Sequence, residues 1–525
     1  MSIPFDNPEY PSTTPEADTL TDSVLMLLAL TVVQRLVGFG RAVLFCRWLP
    51  AEQLGLWDMT FSFLVVASPV AVMAIPGAFG RYLEYYRQRG QLATFLRQTS
   101  IACASLAVVA CVVIALTRHQ VSAMLFGTTD QAGLIALTAG CLAVVVVYNF
   151  CIELFTAMRN IRLVSAVQLT NSVVFAVLGV GLLLCWQPSA ESVLLSYGGS
   201  CVTAAAVGVW CLVRLRRRSR TASRQPRPSD GHSPHLAHPT VWRKVLPFAS
   251  WLLLACVLTN LFEVVDRYMI IHFSGSSAGR PLDLVGNYHA SRLVPMLLVS
   301  LATMLATMIT PHLSHDWESG HRQQAAARLR LFLKTVGLAL WALAVAVLIA
   351  APLLFKFALK DKYPGGLAVL PWTLVYCSWF SLWVIGQNYF FCAEKARLAS
   401  VSLAVGLVAN VLLNIMLLPR YGLMGAVWAT AAANALSLWL LCRFNHRLGF
   451  RLDFGARLVL ALPLVLCLGP WVAGLTLIVV AAEVIWGNRL LREEEKSQLG
   501  EGIADLVRRA GLERWLPESR RAVGR

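Results

Sequence analysis

Between residues 23 and 487 the chain is a near-continuous succession of apolar runs, each about the length that crosses a bilayer. About 20 helical residues span the hydrocarbon. Backbone N–H and C=O groups find no water there, so such runs must satisfy them internally, as helices. Candidate spans fall at roughly 23–46, 56–80, 99–117, 132–156, 164–186, 192–213, 245–271, 286–312, 332–355, 367–391, 398–418, 422–442, 455–469 and 470–487, fourteen in all. The stretch Leu458 to Gly487 is cut only by Gly469 and Pro470, so it reads as a tight hairpin or as one broken span. With 57% hydrophobic residues, 14% charged residues and a mean hydropathy of +0.63, the chain falls outside the soluble globular class.

Lys and Arg concentrate in the loops that would face the cytosol if the N-terminus is cytosolic, which predicts a multi-pass protein of the cytoplasmic membrane with both termini inside. The net charge of +17 then anchors the protein against anionic lipid, and no nucleic-acid partner is expected. Residues 1–22 hold no Lys or Arg ahead of the first long run, so a cleavable signal peptide is not expected. The 13 cysteines are scattered without a CxxC spacing and read as small buried apolar residues.

The main break in the pattern is 214–244, basic and rich in Ser and Pro, which reads as a cytosolic linker. It divides a tail (1–22) and a six-helix lobe (23–213) from a second six-helix lobe (245–442), two additional helices (443–487) and a tail (488–525). His232, His235 and His238 in the linker could bind a metal, although unordered linker histidines are the simpler reading. Residues 503–515 carry apolar side chains at helical spacing, as a surface-lying or a packing helix would. The halves also repeat. Arg162-Leu-Val-Ser recurs as Arg397-Leu-Ala-Ser at an offset of 235, as does Pro76 as Pro311; Gly55-x-Trp57 recurs as Gly286-x-Tyr288 at 231. The expected fold is therefore an all-α polytopic membrane protein of about 14 transmembrane helices. Its two six-helix lobes are related by a parallel internal repeat, and the substrate site lies between them.

Arg35, Arg41, Arg267 and Arg292 sit inside spans, where insertion scales put a charge at about 2.5–3.5 kcal/mol at the bilayer centre. That cost favours an interior position or a wet cavity. Two plainer readings stand beside this one. Arg267 follows Glu263 by four residues and could pair with it on one helix face, and Arg41 and Arg292 could snorkel to the interface. If instead the arginines line a cavity, their planar forks suit a phosphate or diphosphate head group. Asn410 and Asn414, an i, i+4 pair, either glue helices together or form an oxygen cage for a small cation with Thr430 and an acid, Glu263 or Asp266.

The stretch 386–430, with Gly386, Asn410, Asn414, Pro419-x-Tyr421-Gly422-x-x-Gly425-Ala426 and Thr430, resembles the polysaccharide transporter branch of the multidrug/oligosaccharidyl-lipid/polysaccharide exporter superfamily. So do residues 34–57 and the Asp266-Arg267 pair followed by Val285-Gly286-x-Tyr288. The resemblance covers about residues 25–445. It implies a flippase for lipid-linked oligosaccharides (polyprenyl-diphosphate glycans) that serves surface-polysaccharide or lipopolysaccharide export by alternating access. Arg35, Arg41, Arg267 and Arg292 would hold the head group. It further implies a sodium site from Asp266 or Glu263 with Asn410, Asn414 and Thr430, although Asn414 stands where an acid would strengthen the cage; a proton is the other coupling ion to consider. Expected partners are membrane lipid, the lipid-linked oligosaccharide and polysaccharide-assembly proteins, with no organic cofactor. A multidrug or cation antiporter of the same superfamily is the first alternative, and would want a cavity dominated by acids and aromatics. A membrane glycan polymerase or glycosyltransferase is the second, but the longest external loops, about 118–131 and 272–285, carry only Asp130 and Asp283 as acids, so the chain is expected not to be an enzyme.

Overall fold

The computed structural model describes residues 17–222, 238–275 and 279–500. The described residues contain no strand. The first lobe comprises α1 (Ala17–Trp48), α2 (Ala51–Ala71), α3 (Phe79–Gln88), α4 (Leu92–Leu116), α5 (Arg118–Phe126), α6 (Ala132–Ala157), α7 (Ile161–Cys185) and α8 (Ala190–Ala222). The second comprises α9 (His238–Phe273), α10 (Pro281–Arg292), α11 (Pro295–Glu318), α12 (Arg322–Leu353), α13 (Pro364–Gly386), α14 (Asn388–Cys392) and α15 (Ala396–Arg447). Two short helices, α16 (Phe454–Ala461) and α17 (Pro470–Trp486), follow. His232, His235 and the amphipathic stretch 503–515 lie outside the described residues.

The lobes repeat one packing scheme. In the first, α1 packs on α7, α2 and α4 on α6, and α6 on α8. In the second, α9 packs on α15, α11 and α12 on α13, and α13 on α15. Each helix thus meets the partner that its repeat counterpart meets, so the two halves share one architecture.

Ten helical segments among the described residues are long and apolar enough to cross a membrane, against the fourteen expected. The difference has local causes. Helix α15 is 52 residues long and takes in two expected spans, bent at Gly422, whose φ of 54° and ψ of −136° suit only glycine. Helix α1, 32 residues long, covers the expected span 23–46. The last two elements are short, and they form the hairpin rather than a single broken span. Asp453 precedes α16 and Glu495 follows α17, yet both reach the same Lys334 on α12, at 2.5 and 2.9 Å. A chain that begins and ends at one ammonium must have turned back, and Gly469, at φ 100°, makes the turn.

The expected span 286–312 is also broken. Helix α10 stops at Arg292 and α11 restarts at Pro295. Proline has no N–H to continue the ladder, and its ring crowds the preceding turn. Broken helices at membrane depth are tolerated where they line a cavity.

The lobes meet where α2 crosses α10, and where α9 packs on α2 and the turn Ile75–Ala78. The crossing is very close: a methyl on Gly55 would collide with the carbonyl oxygen of Leu282, and one on Gly286 with that of Ala51. These are the two repeat-related glycines, packed against each other across the lobe boundary.

Candidate functional site

A cavity of about 500 Å³ opens in the second lobe on the side that faces α1 of the first, walled by α9, α10, α11, α13 and α15, with Arg35 from α1 at its edge. Arg35 enters it from α1, Glu263 and Asp266 from α9, and Arg292 from the end of α10. Arg292 is only 6% exposed, and its Nε and Nη1 have no hydrogen-bond partner. Its contacts are a weak bond from Nη2 to the Met296 sulfur at 3.6 Å and the ring of Tyr288 at 5.3 Å. A guanidinium in that state retains donors for an anion. Arg292 is the last residue of α10, directly before the helix break.

Beside it lies a second cluster. Asp266, buried at 2% exposure, accepts from the Tyr288 hydroxyl through Oδ2 at 2.8 Å. Its Oδ1 accepts from Asn410 Nδ2 at 2.8 Å and Asn414 Nδ2 at 3.3 Å. Asn410 also donates to Thr430 Oγ1 at 3.4 Å, and Asn414 to Asn410 Oδ1 at 2.8 Å. The i, i+4 spacing on α15 places both amides on one face, and the bend at Gly422 brings Thr430 back beside them. Asp266, Asn410, Asn414 and Thr430 are therefore in one place, whereas Glu263 faces the cavity apart from them. Asn414 Oδ1 is buried with no partner. An orphan oxygen next to a carboxylate and a hydroxyl fits a small hard cation, which takes oxygen ligands. Among the described residues, no cluster of His, Cys, Asp and Glu suggests a transition metal.

Two of the arginines are elsewhere. Arg267 does not line the central cavity: its Nε donates to Asp58 Oδ2 on α2 at 2.6 Å, and its Nη1 to the Glu263 carbonyl at 3.1 Å. The expected pairing with the Glu263 carboxylate is thus replaced by an ion pair across the lobe boundary. His289 on α10 completes it, with Nδ1 2.9 Å from Asp58 Oδ1. Asp58 lies three residues beyond Gly55 and His289 three beyond Gly286, so the close crossing and the polar contact belong to one repeat-related seam. Arg41 lies over the ring of Phe175 at 4.0 Å and lines a separate cavity within the first lobe. Neither Arg41 nor Arg292 reaches outward as a snorkelling side chain would. The sequence reading missed Asp58 and the fully buried Lys334. The signal for Asp58 was available: an acid inside an apolar run, at the repeat position of a histidine.

Two helical lobes of one packing scheme around a charged cavity define a multi-pass membrane transporter. Residues 20–316 match the polysaccharide biosynthesis protein family, and the chain belongs to it. It is 19% identical over 430 residues to "Lipid II flippase MurJ" of Bacillus subtilis (strain 168), covering 78% of this chain and 79% of that protein. Its fold is similar to a structure of "Lipid II flippase MurJ, inward closed conformation", with a TM-score of 0.65, 11% identity, and coverage of 88% of this chain and 99% of the other. It is also similar to an inward-facing multidrug resistance MATE family transporter of the MOP superfamily, with a TM-score of 0.54, 13% identity, and coverage of 79% and 95%. These relatives are transporters, not enzymes, and so is this chain.

Proposed function

We propose that the protein flips a polyprenyl-diphosphate-linked oligosaccharide across the cytoplasmic membrane by alternating access, supplying surface-polysaccharide assembly. The observation that carries the reading is Arg292, a buried guanidinium with free donors in the cavity that Arg35 also lines. Two arginine forks in a low-dielectric cavity recognise a diphosphate by paired, charge-assisted hydrogen bonds. The similarity to a lipid II flippase, whose substrate is likewise lipid-linked, supports the same class of cargo. A multidrug antiporter would need a cavity of net negative character, whereas here two arginines offset Glu263 and Asp266.

Sodium is the proposed coupling ion. Asp266, Asn410, Asn414 and Thr430 would hold it, with the Asn amides turned so that their oxygens face the ion. Tyr288 hydrogen-bonds Asp266 while sitting four residues before Arg292, so ion occupancy and head-group binding share one helix. With both termini cytosolic, the α2–α10 seam closes the outer side. Asp58, Arg267 and His289 then form a latch that must open for outward release.

Deleting the gene in the native cell tests the proposal. The expected result is lipid-linked oligosaccharide accumulating on the cytosolic leaflet with surface glycan lost, restored by the wild-type gene and not by Arg292→Gln. Unchanged glycan with heightened sensitivity to cationic drugs would move the assignment to drug export.

A further inference from the structure

The cavity within the first lobe has a chemistry different from the central one. Trp57 and Phe61 from α2, Phe175 from α7 and Tyr197 from α8 form a ring cluster with centroids 5.2 to 6.0 Å apart. Gln34 from α1 and Gln168 from α7 face the same space, and neither side-chain amide has a hydrogen-bond partner among the described residues. Asn171 is committed, accepting from Ser200 Oγ at 2.9 Å. No carboxylate lines the cavity, and Arg41 supplies its charge. The volume, about 290 Å³, is near the lower end of small-ligand sites (about 300–1,000 Å³).

We infer that this cavity is the saccharide subsite of the transporter, taking the one or two sugar rings nearest the diphosphate. The inference rests on the proposed flippase reading. A pyranose has apolar C–H faces and a belt of hydroxyls. Aromatic rings cover the first, and side-chain amides, which both donate and accept, satisfy the second. A lipid tail would leave the two glutamine amides unpaired, which is unfavourable for buried polar groups, and a packed core would leave no space.

The position also fits. Gln34 precedes Arg35 in sequence, so α1 lines both cavities with adjacent residues. Likewise α10 gives His289 to this cavity and Tyr288 and Arg292 to the central one. A diphosphate held at Arg35 and Arg292 thus has its first sugars beside the aromatic pocket. Neutral or acidic sugars suit it; a sugar with a free ammonium meets Arg41 and no acid.

The test uses the full-length protein, purified in detergent, and two probes. One is bare polyprenyl diphosphate; the other is the glycan-bearing lipid fraction extracted from membranes of the native organism lacking this protein. Wild-type protein is expected to bind the glycan-bearing lipid more tightly. The double variant Gln34→Ala, Gln168→Ala should lose about tenfold or more for that probe, as two lost hydrogen bonds imply, with bare-lipid binding changed less than about twofold. Gln168→Met, which keeps the volume but removes both polar atoms, should move the same way and guards against misfolding, read from the thermal midpoint. Arg292→Gln should weaken both probes alike. Equal losses for both probes in the glutamine variants, or none for the glycan-bearing lipid, would overturn the subsite. Wild-type protein that binds neither probe would refute the flippase reading itself, and the subsite with it.

Discussion

At the scale of single residues, the proposed site is built from side chains whose hydrogen-bonding capacity exceeds what the fold uses. Arg292 keeps two donors unpaired while buried, and Asn414 keeps an acceptor. Leaving buried polar atoms unmade costs about 1–3 kcal/mol each, so their persistence points to a transient partner. Arg292→Lys retains the charge but not the planar fork, and is expected to cut transport at least about tenfold with membrane levels unchanged, measured by flipping in proteoliposomes alongside immunoblots. Asp266→Asn removes the charge a cation needs, and its residual transport should no longer respond to replacing sodium by potassium; an unaltered sodium response would remove Asp266 from the ion site. Asn410, Asn414 and Thr430 were legible in the sequence as a group, because their spacing is fixed, whereas the choice of Asp266 over Glu263 as their acid is made only by tertiary packing. Arg267 was legible only as a charge in the membrane. Its partner Asp58 is 209 residues away, and no local pattern reports a pairing that tertiary packing creates.

At the scale of helices, hydropathy showed where apolar segments lie but not where they bend or how they pair. The expected span 286–312 hid the break before Pro295, although the proline was there to see, because a hydropathy run is blind to backbone hydrogen bonding. The helix crossing at Gly55 and Gly286 appeared in the sequence only as a repeat; the structure makes it a contact. Gly55→Ala is expected to force α2 from α10, lowering transport and raising the labelling of residues at that end by membrane-impermeant thiol reagents. The C-terminal hairpin has its own fastening. Lys334, 1% exposed, holds both Asp453 and Glu495, and removing one partner of a buried charge set costs about 3–5 kcal/mol. Lys334→Met should therefore lower the thermal midpoint of the purified protein, and increase proteolysis after α17, while leaving substrate affinity unchanged. Burial alone would raise the Asp453 carboxyl, but the Lys334 hydrogen bond and the Ala456 N–H hold it below the usual carboxylate range. Its stabilising contribution is thus present above that range and falls away only as acid protonates it.

For the whole molecule, the proposed alternating-access cycle would rock two lobes of one packing scheme about the axis that relates them, and that motion would open and remake the seam between α2 and the second lobe. What holds the seam is a close backbone crossing, which supplies dispersion contact only when shut, and an ion pair that loses its partner when the lobes part. Asp58 faces both Arg267 and His289, so a separated seam leaves a carboxylate needing water or a substrate cation in their place. In that cycle the latch biases the equilibrium toward closure of that end. If the cycle works this way, fixing the seam should stop transport without harming binding. Glu52 and Arg280 offer the position, since they are exposed, lie on opposite lobes and have charged ends 3.5 Å apart. Cysteines at both sites in a cysteine-less background, joined by a short reducible cross-linker, are expected to abolish flipping, with bare polyprenyl-diphosphate affinity retained and flipping regained on reduction. Transport that continues through the cross-link would show that this seam stays shut throughout the cycle and that the lobes do not rock about it.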